Sequence, residues 1–115
     1  MVIELNEKSF VDNLFSVDEE SNLSYKKTTP SILEFYVSWC PHCQAMMPRY
    51  DAVSNELDGK VGCYRVELEK HPRIGELFGS SGFPTFVFIK PNGEMEASEG
   101  EMDIKEFKNL IAEVF

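Results

Sequence analysis

The sequence predicts a single three-layer α/β domain over residues 1–115, with helices on both faces of a central mixed sheet. Segments that fit strands alternate with segments that fit helices, an order typical of a parallel sheet. Two strongly apolar runs, residues 32–37 and 85–89, are typical of central strands buried on both faces. A turn signal near the C-terminus adds an antiparallel edge. The length fits one domain and leaves little room for a second.

The first 30 residues predict a strand, a helix and a surface segment. Residues 2–5 fit a short strand. The helix is predicted from apolar side chains at helical spacing, namely Phe10, Val11, Leu14 and Phe15. Residues 16–30 are polar and charged, so we expect an exposed loop or a fraying extension of the helix.

The middle of the chain predicts two strands and two helices. Residues 32–37 fit the first buried strand, and the helix after it carries apolar side chains at helical spacing up to a stop at Gly59. Residues 61–68 fit a second buried strand. A short helix follows and ends at Gly79, because glycine adopts the backbone conformation that closes a helix.

The last 30 residues predict a hairpin and a helix. Residues 85–89 fit a third strand, and Pro-Asn-Gly at residues 91–93 is typical of a hairpin turn that leads to a weaker strand over 95–98. Asp103 and Glu106 form a capping box that opens the final helix. The predicted order is therefore β-α-β-α-β-α-β-β-α.

Composition limits the classes of partner. The net charge is −9, and an acidic surface repels nucleic-acid phosphates and anionic lipids. No apolar run reaches the roughly 18 residues that a membrane helix needs. The N-terminus has no basic segment followed by a long apolar one, so we expect no signal peptide and a cytoplasmic monomer. The alternative is an exported protein from which the signal has been removed.

Cys40 and Cys43 stand at the start of the helix that follows the first buried strand. Three residues apart, they face the same side of the helix, and their sulfurs can bridge with little backbone movement. The free N–H groups and the dipole of a helix start favour the thiolate of Cys40, which is the attacking species in disulfide exchange. Cys43, one turn deeper, is placed to resolve the mixed disulfide. The sequence predicts a redox-active disulfide and no other cofactor.

The two residues between the cysteines modify this centre. Pro41 fits the first turn of a helix, where a missing N–H costs nothing, and it stiffens the turn. A cationic His42 would place a charge beside the Cys40 sulfur and stabilise the thiolate. Because stabilising the reduced form makes a disulfide a stronger oxidant, His42 predicts a more oxidising centre.

Glu34 is a carboxylate in an otherwise apolar strand, six residues before Cys40. Burial there is costly, so the group should be paired, protonated or functional. We expect a buried Glu34 with a raised pKa that relays protons to Cys43. Arg65 in the next strand is the candidate partner that limits its desolvation cost. The alternative is that Glu34 faces solvent at a sheet margin.

Three residues have more ordinary interpretations. A Cys-x-x-Cys pair can be half of a zinc site, but only Cys63, the two histidines and carboxylates remain as further ligands, so we predict no metal. Trp39 is either a core residue or, as we expect, a cover for the disulfide. Cys63 is expected to be a small buried apolar residue without a redox role.

These residues, together with three further features, resemble the thioredoxin superfamily. Residues 39–43 read Trp-Cys-Pro-His-Cys, Pro48 lies in the helix after them, residues 82–85 read Gly-Phe-Pro-Thr before a strand, and Gly100 precedes the last helix. All of them fall at the family's positions. The resemblance extends from about residue 32 to residue 115 and is looser before it.

The resemblance implies a thioredoxin fold, with five strands in the order 1-3-2-4-5 and a cis peptide bond before Pro84. It implies that Cys40 is the nucleophile and Cys43 the resolving thiol. It also implies that Glu34 is the family's buried acid, with Arg65 where a lysine often pairs with that acid. The implied groove for extended substrate polypeptides is formed by Trp39, Gly82, Phe83, Pro84 and Gly100.

Several features depart from a typical thioredoxin. Pro-His replaces Gly-Pro between the cysteines and resembles periplasmic disulfide oxidases. Glu34 and Phe83 look more like disulfide isomerase domains. Glu99 and Glu101 flank Gly100, where thioredoxins usually offer apolar contacts.

We therefore predict a thiol–disulfide oxidoreductase of the thioredoxin type that exchanges disulfides with protein substrates through Cys40 and Cys43. Its partners would be disulfide-containing proteins and a recycling reductase or oxidase. One alternative is a net disulfide oxidase or isomerase. Another is a thioredoxin-fold binding subunit that uses its groove without turnover, although the intact cysteine pair argues against it.

Overall fold

The structure is a computed structural model that describes all 115 residues. Its elements follow one another in this order: β1 (Val2–Glu4), α1 (Glu7–Asn13), β2 (Phe15–Val17), β3 (Leu23–Tyr25), β4 (Ser31–Tyr36), α2 (Pro41–Glu56), β5 (Gly62–Glu67), α3 (Pro72–Phe78), β6 (Thr85–Ile89), β7 (Met95–Glu99) and α4 (Ile104–Val114). The strands and helices predicted after residue 30 are all present, with ends that differ by a few residues at most.

Five strands form the central sheet, in the spatial order β1-β5-β4-β6-β7. The pairs β1–β5 and β5–β4 are parallel, whereas β4–β6 and β6–β7 are antiparallel. Counted among these five strands alone, the order is 1-3-2-4-5, as expected. The predicted α/β class and the antiparallel edge are confirmed.

Alternate side chains of β4 enter two different cores, one on each face of the sheet. Ile32 packs with apolar side chains of α2 and α4, including Tyr50 and Phe107. Leu33 and Phe35 pack on the opposite face with side chains of α1, α3 and the segment between α1 and β4. Because both faces are covered, β4 is buried along its whole length, which agrees with its apolar sequence.

Capping residues at the predicted positions set the ends of three helices. Pro41 is the first residue of α2, where proline loses no helical hydrogen bond. The Asp103 carboxylate accepts a hydrogen bond from Glu106 N–H at 2.7 Å and caps α4. Gly79 ends α3 in the left-handed conformation, at a φ of 64°.

The prediction for residues 16–30 is wrong in one respect, because strand β3 and most of strand β2 lie in this segment and form a small antiparallel sheet. Asp18 holds the turn between them, since its Oδ1 accepts hydrogen bonds from the N–H groups of Glu20 at 2.9 Å and Asn22 at 2.8 Å. Ser21 takes a positive φ of 66° in this turn. In a strand of three residues, the alternation of apolar and polar side chains is too short to be recognised within a polar segment.

Phe15 was predicted to be helical and is instead the first residue of β2. Helix α1 ends at Asn13, and Leu14 is its C-cap. Phe15 is almost fully buried and stacks on Phe10, with ring centroids 5.5 Å apart. A buried apolar side chain at Phe15 fits either a helix or a strand. The spacing of apolar residues alone therefore does not locate the end of α1.

Removing the Tyr50 hydroxyl should weaken the link between β4 and β5. This fully buried hydroxyl accepts a hydrogen bond from Tyr64 N–H at 2.9 Å, and its single hydrogen can be donated to the carbonyl of Ile32 at 3.0 Å or to that of Tyr64 at 2.9 Å. Tyr50→Phe should lower the free energy of unfolding in urea by about 1–3 kcal/mol, because it leaves a buried N–H unpaired. The control Tyr64→Phe removes a hydroxyl outside this network and should cost much less. Equal losses in the two variants would contradict the assignment.

Candidate active site

The candidate active site lies where β4 ends and α2 begins. Cys40 is the N-cap residue of α2 and has an extended backbone, with φ −79° and ψ 121°. Its N–H donates to the Val37 carbonyl at 3.2 Å, and its carbonyl accepts from Gln44 N–H at 3.0 Å. These two bonds fix Cys40 at the point where the N–H groups of the first helical turn have no helical partner.

The hydrogen bonds around the Cys40 sulfur favour the thiolate. All three cysteines are free thiols. The pKa of Cys40 is lowered chiefly by a hydrogen bond from the N–H of Cys43, and the Cys43 thiol and the N–H of His42 add to this effect against an opposing contribution from burial. Cys40 retains 8% of its surface in solvent, whereas Cys43 retains none, so Cys40 is the more accessible of the two.

Cys43 has the opposite environment. It is fully buried, and burial is the main reason that its pKa rises to about 12, with the neighbouring Cys40 thiol and the charge of Glu34 raising it further. The two sulfurs are therefore distinct. Cys40 is suited to attack, and Cys43 has to give up a proton before it can react.

Glu34 is fully buried, which excludes a solvent-facing position at the sheet margin. The Nε of Arg65 lies 3.4 Å from its Oε1, but neither carboxylate oxygen has a hydrogen-bond partner. Burial raises the pKa of Glu34 to about 7, and the charge of Arg65 opposes the rise only in part. The predicted pair is thus present, and desolvation outweighs the attraction to the guanidinium.

Several carboxylates surround this single guanidinium, which explains why it does not hold Glu34 in its charged form. Glu4, Arg65 and Glu34 are register partners across β1, β5 and β4. Arg65 also donates from Nη2 to Asp51 at 3.0 Å, and the charges of Asp51 and Glu4 raise the pKa of Glu34 further. The sequence predicted the pair of Glu34 and Arg65 but neither of the other two carboxylates.

The predicted groove residues fall into two groups. The Phe83–Pro84 peptide bond is cis, and Gly100 N–H donates to the Pro84 carbonyl at 2.8 Å, which joins the two loops. Gly100 has a φ of +102°, a conformation that glycine adopts without strain. Gly82 lies against the carboxylate of Glu99, so closely that a Cβ on Gly82 would be 2.8 Å from it.

The solvent exposure of Trp39 bears on its two predicted roles. Trp39 keeps 64% of its surface exposed to solvent, which excludes the alternative that it is an ordinary core residue. A large exposed aromatic side chain next to Cys40 is available for contact with a partner. Its role as a cover for the disulfide stays a prediction.

The sequence did not predict the partner of His42. The imidazole Nδ1 lies 2.8 Å from Oε1 of Glu101, and Oε2 of the same carboxylate accepts a hydrogen bond from Arg49 at 2.9 Å. The backbone N–H of His42 also contributes to the lowered pKa of Cys40. His42 and Arg49 are seven residues apart, which places them two helical turns apart on one face of α2; this spacing was the only sequence signal for the cluster.

Cys63 lies in the core away from this site, as expected. It is almost fully buried, and burial raises the pKa of its thiol to about 11. No three histidine, cysteine, aspartate or glutamate side chains converge in a way that would hold a metal ion. No helix combines the length and apolar character that crossing a membrane requires.

The environment of Glu34 predicts a pH-dependent stability. A glutamate has an ordinary pKa of 4.5, and the folded-state value is about 7. The folded protein thus binds the proton more tightly than the unfolded chain, and stability is lost as pH rises from about 4.5 through 7. Keeping this carboxylate charged costs the folded state about 3 kcal/mol. Glu34→Gln, which cannot ionise, should lack this loss.

Urea denaturation across this pH range measures the effect. The free energy of unfolding of the wild type should fall, relative to that of Glu34→Gln, by about 3 kcal/mol between about pH 4 and pH 8. Parallel curves for the two proteins would show that Glu34 titrates alike in the folded and unfolded states.

Comparison with known proteins gives one consistent result. Residues 3–113 match the family model described as Thioredoxin. A thioredoxin of Borreliella burgdorferi is 29% identical over 115 residues, which cover 100% of this chain and 98% of that protein. Protein disulfide-isomerase erp38 of Neurospora crassa is 32% identical over 92 residues, 76% of this chain but only 25% of the relative.

Two solved structures share the fold. Chloroplastic thioredoxin z superposes with a TM-score of 0.77 at 19% identity, covering 98% of this chain and 93% of the other. Thioredoxin of Malassezia sympodialis gives a TM-score of 0.78 at 21% identity, covering 98% and 90%. The structural likeness shows the fold, and the family model matches almost the whole chain. The chain therefore belongs to the thioredoxin family of thiol–disulfide oxidoreductases.

Proposed function

We propose that this protein reduces disulfide bonds of protein substrates by exchange with the Cys40–Cys43 dithiol. The observation that carries the proposal is the opposite shift of the two thiols: the pKa of Cys40 is lowered, and that of buried Cys43 is raised to about 12. A centre that only bound a partner would not need one activated and one protected sulfur.

The reaction follows from this asymmetry. The Cys40 thiolate attacks a substrate disulfide, forms a mixed disulfide and releases one substrate sulfur. Cys43 then loses its proton, attacks the Cys40 sulfur and releases the second substrate sulfur. The protein is left with a Cys40–Cys43 disulfide, which a recycling reductase has to reduce before the next turnover.

Glu34 is placed to take the proton from Cys43. It is buried in the same region, and its charge acts on the Cys43 thiol. A base works best when its pKa lies near the working pH, and that of Glu34 is about 7. Solvent cannot easily serve instead, because Cys43 is fully buried.

An extended polypeptide is the substrate that fits the surface around Cys40. Trp39, next to Cys40 in the chain, is exposed, and the loops at Pro84 and Gly100 are joined by a backbone hydrogen bond. Extended chains bind such surfaces through backbone hydrogen bonds and single side-chain contacts. The proposed substrates are the disulfides of extended protein segments as a class.

Net oxidation is the second candidate direction, and the residues between the cysteines are its only support. A charge on His42 would favour a more oxidising centre. The imidazole is, however, bonded to the carboxylate of Glu101, whose negative charge opposes stabilisation of a nearby thiolate. We therefore favour reduction.

Single substitutions of the two cysteines test the proposed order of attack. Cys40→Ser should abolish reduction of insulin disulfides, because the attacking thiolate is lost. Cys43→Ser should instead accumulate a mixed disulfide with insulin, visible by non-reducing electrophoresis and mass spectrometry. Cys63→Ser is the matched control and should retain activity. A mixed disulfide trapped through Cys43 in Cys40→Ser would reverse the assignment.

Glu34→Gln tests proton transfer at Cys43. The variant should slow resolution of a preformed mixed disulfide by about tenfold or more, since a positioned base typically contributes ~10²–10⁴ to a rate. Glu4→Gln removes a carboxylate from the same row of charges on the far side of Arg65, and it should resolve the mixed disulfide at a rate near that of the wild type. Stopped-flow measurement of the released thiol follows this step. An unchanged rate in Glu34→Gln would leave Glu34 with a structural role only.

A further inference from the structure

The carboxylate of Glu101 is held at both oxygens by one face of α2. His42 Nδ1 lies 2.8 Å from Oε1, and Arg49 Nη1 lies 2.9 Å from Oε2. Arg49 also donates to the Met102 carbonyl at 2.9 Å, which ties the loop that carries Glu101 to the helix. Two side chains, and a third bond from one of them to the neighbouring backbone, thus fix the position of a carboxylate that the proposed exchange reaction does not use.

This arrangement decides which imidazole nitrogen of His42 is free. A nitrogen that contacts a carboxylate carries its hydrogen there, so Nδ1 is the donor to Glu101 and Nε2 remains available. The His42 side chain is 70% exposed, so a substrate group can reach it. With Nδ1 bonded to Glu101, Nε2 is the ring nitrogen from which a proton can pass to a substrate group.

The proposed exchange leaves one proton transfer without a donor. When Cys40 attacks, the departing substrate sulfur leaves as a thiolate, and departure is slow when the pKa of its thiol is high. Glu34 cannot serve this sulfur, because it is fully buried beneath the site.

His42 lies two residues after Cys40, and its imidazole is bonded to Glu101. Glu101 directly follows Gly100, whose N–H donates to the Pro84 carbonyl at 2.8 Å. The imidazole is therefore held between the start of α2 and the loops of the groove in which the substrate disulfide is proposed to bind.

We propose that Glu101 is a positioning residue that orients the His42 imidazole through Nδ1, so that the Nε2–H group of His42 donates a proton to the substrate thiolate released by attack of Cys40. This inference rests on the proposed function and adds to it the proton donor for the first exchange step. Arg49 holds Glu101 in place and takes no part in the transfer.

A bond forms between the Cys40 sulfur and one substrate sulfur while the substrate disulfide breaks, and its electron pair moves to the departing sulfur. That sulfur takes the proton from Nε2 and becomes a thiol. The imidazolium becomes neutral imidazole, still bonded to Glu101, and regains its proton from water.

The test compares leaving groups in Glu101→Gln and the wild type. Rates of mixed-disulfide formation are measured in the Cys43→Ser background at neutral pH, with two sets of uncharged disulfides: dialkyl disulfides, whose thiols have a high pKa, and activated aromatic disulfides, whose thiols have a low one. Glu101→Gln should slow reaction with the dialkyl set by about fivefold to tenfold, below the ~10²–10⁴ of the strongest acid catalysis because even alkyl thiolates can depart unaided. Reaction with the aromatic set should stay near the wild-type rate.

Two further variants separate this role from a general effect of charge or structure. Glu56→Gln removes a carboxylate from an ion pair between α2 and α4, with Lys108 at 2.8 Å, and should react like the wild type with both sets. His42→Ala should show the same selective loss as Glu101→Gln. The double variant should be no slower than His42→Ala, because Glu101 acts only through His42.

The outcomes are distinct. Equal slowing of both disulfide sets, additive losses in the double variant or no slowing at all would overturn the role of Glu101 and leave the proposed function intact. A Cys43→Ser protein that reacts with neither set would instead overturn the proposed function itself.

Discussion

The start of helix α2 is the constraint on which the rest of the site depends. A helix start leaves N–H groups that usually bond to a serine, threonine, aspartate or asparagine cap. Here no side-chain oxygen caps α2, because the N-cap residue is Cys40. The N–H groups of His42 and Cys43 act on its sulfur instead. The sulfur lies where the oxygen of a capping side chain would otherwise be. The N–H groups that have no helical partner at the start of α2 therefore stabilise the thiolate.

The second sulfur depends on burial, and burial creates the need for Glu34. Because α2 packs on the sheet, a side chain one turn into the helix already lies in the core. Cys43 is therefore shielded from water. A buried thiol keeps its proton until a nearby group accepts it. A carboxylate inside the same core can do so because its own charge is poorly stabilised there. The same desolvation thus protects the resolving thiol and gives its neighbour a proton affinity suited to neutral pH.

Sequence reasoning located the parts of this site that lie close together along the chain or that break a local pattern. The spacing of Cys40 and Cys43 predicted their geometry, and Glu34 was noticed because it interrupts an apolar strand. The contact between His42 and Glu101 was missed because 59 residues separate them, and exposed charged residues have many possible partners. The strands β2 and β3 were missed for another reason: three-residue strands are too short to show a period, and their apolar side chains suit other structures equally well.

The central claim is that one helix start gives two neighbouring cysteines opposite acidities. The most direct measurement is an NMR titration of the reduced protein with isotope-labelled cysteine, in which each signal is assigned by single substitution. The account predicts that Cys40 titrates below the usual range of a thiol and that Cys43 titrates last, near pH 12. A common pKa for the two thiols, or a Cys43 that ionises before Cys40, would contradict it.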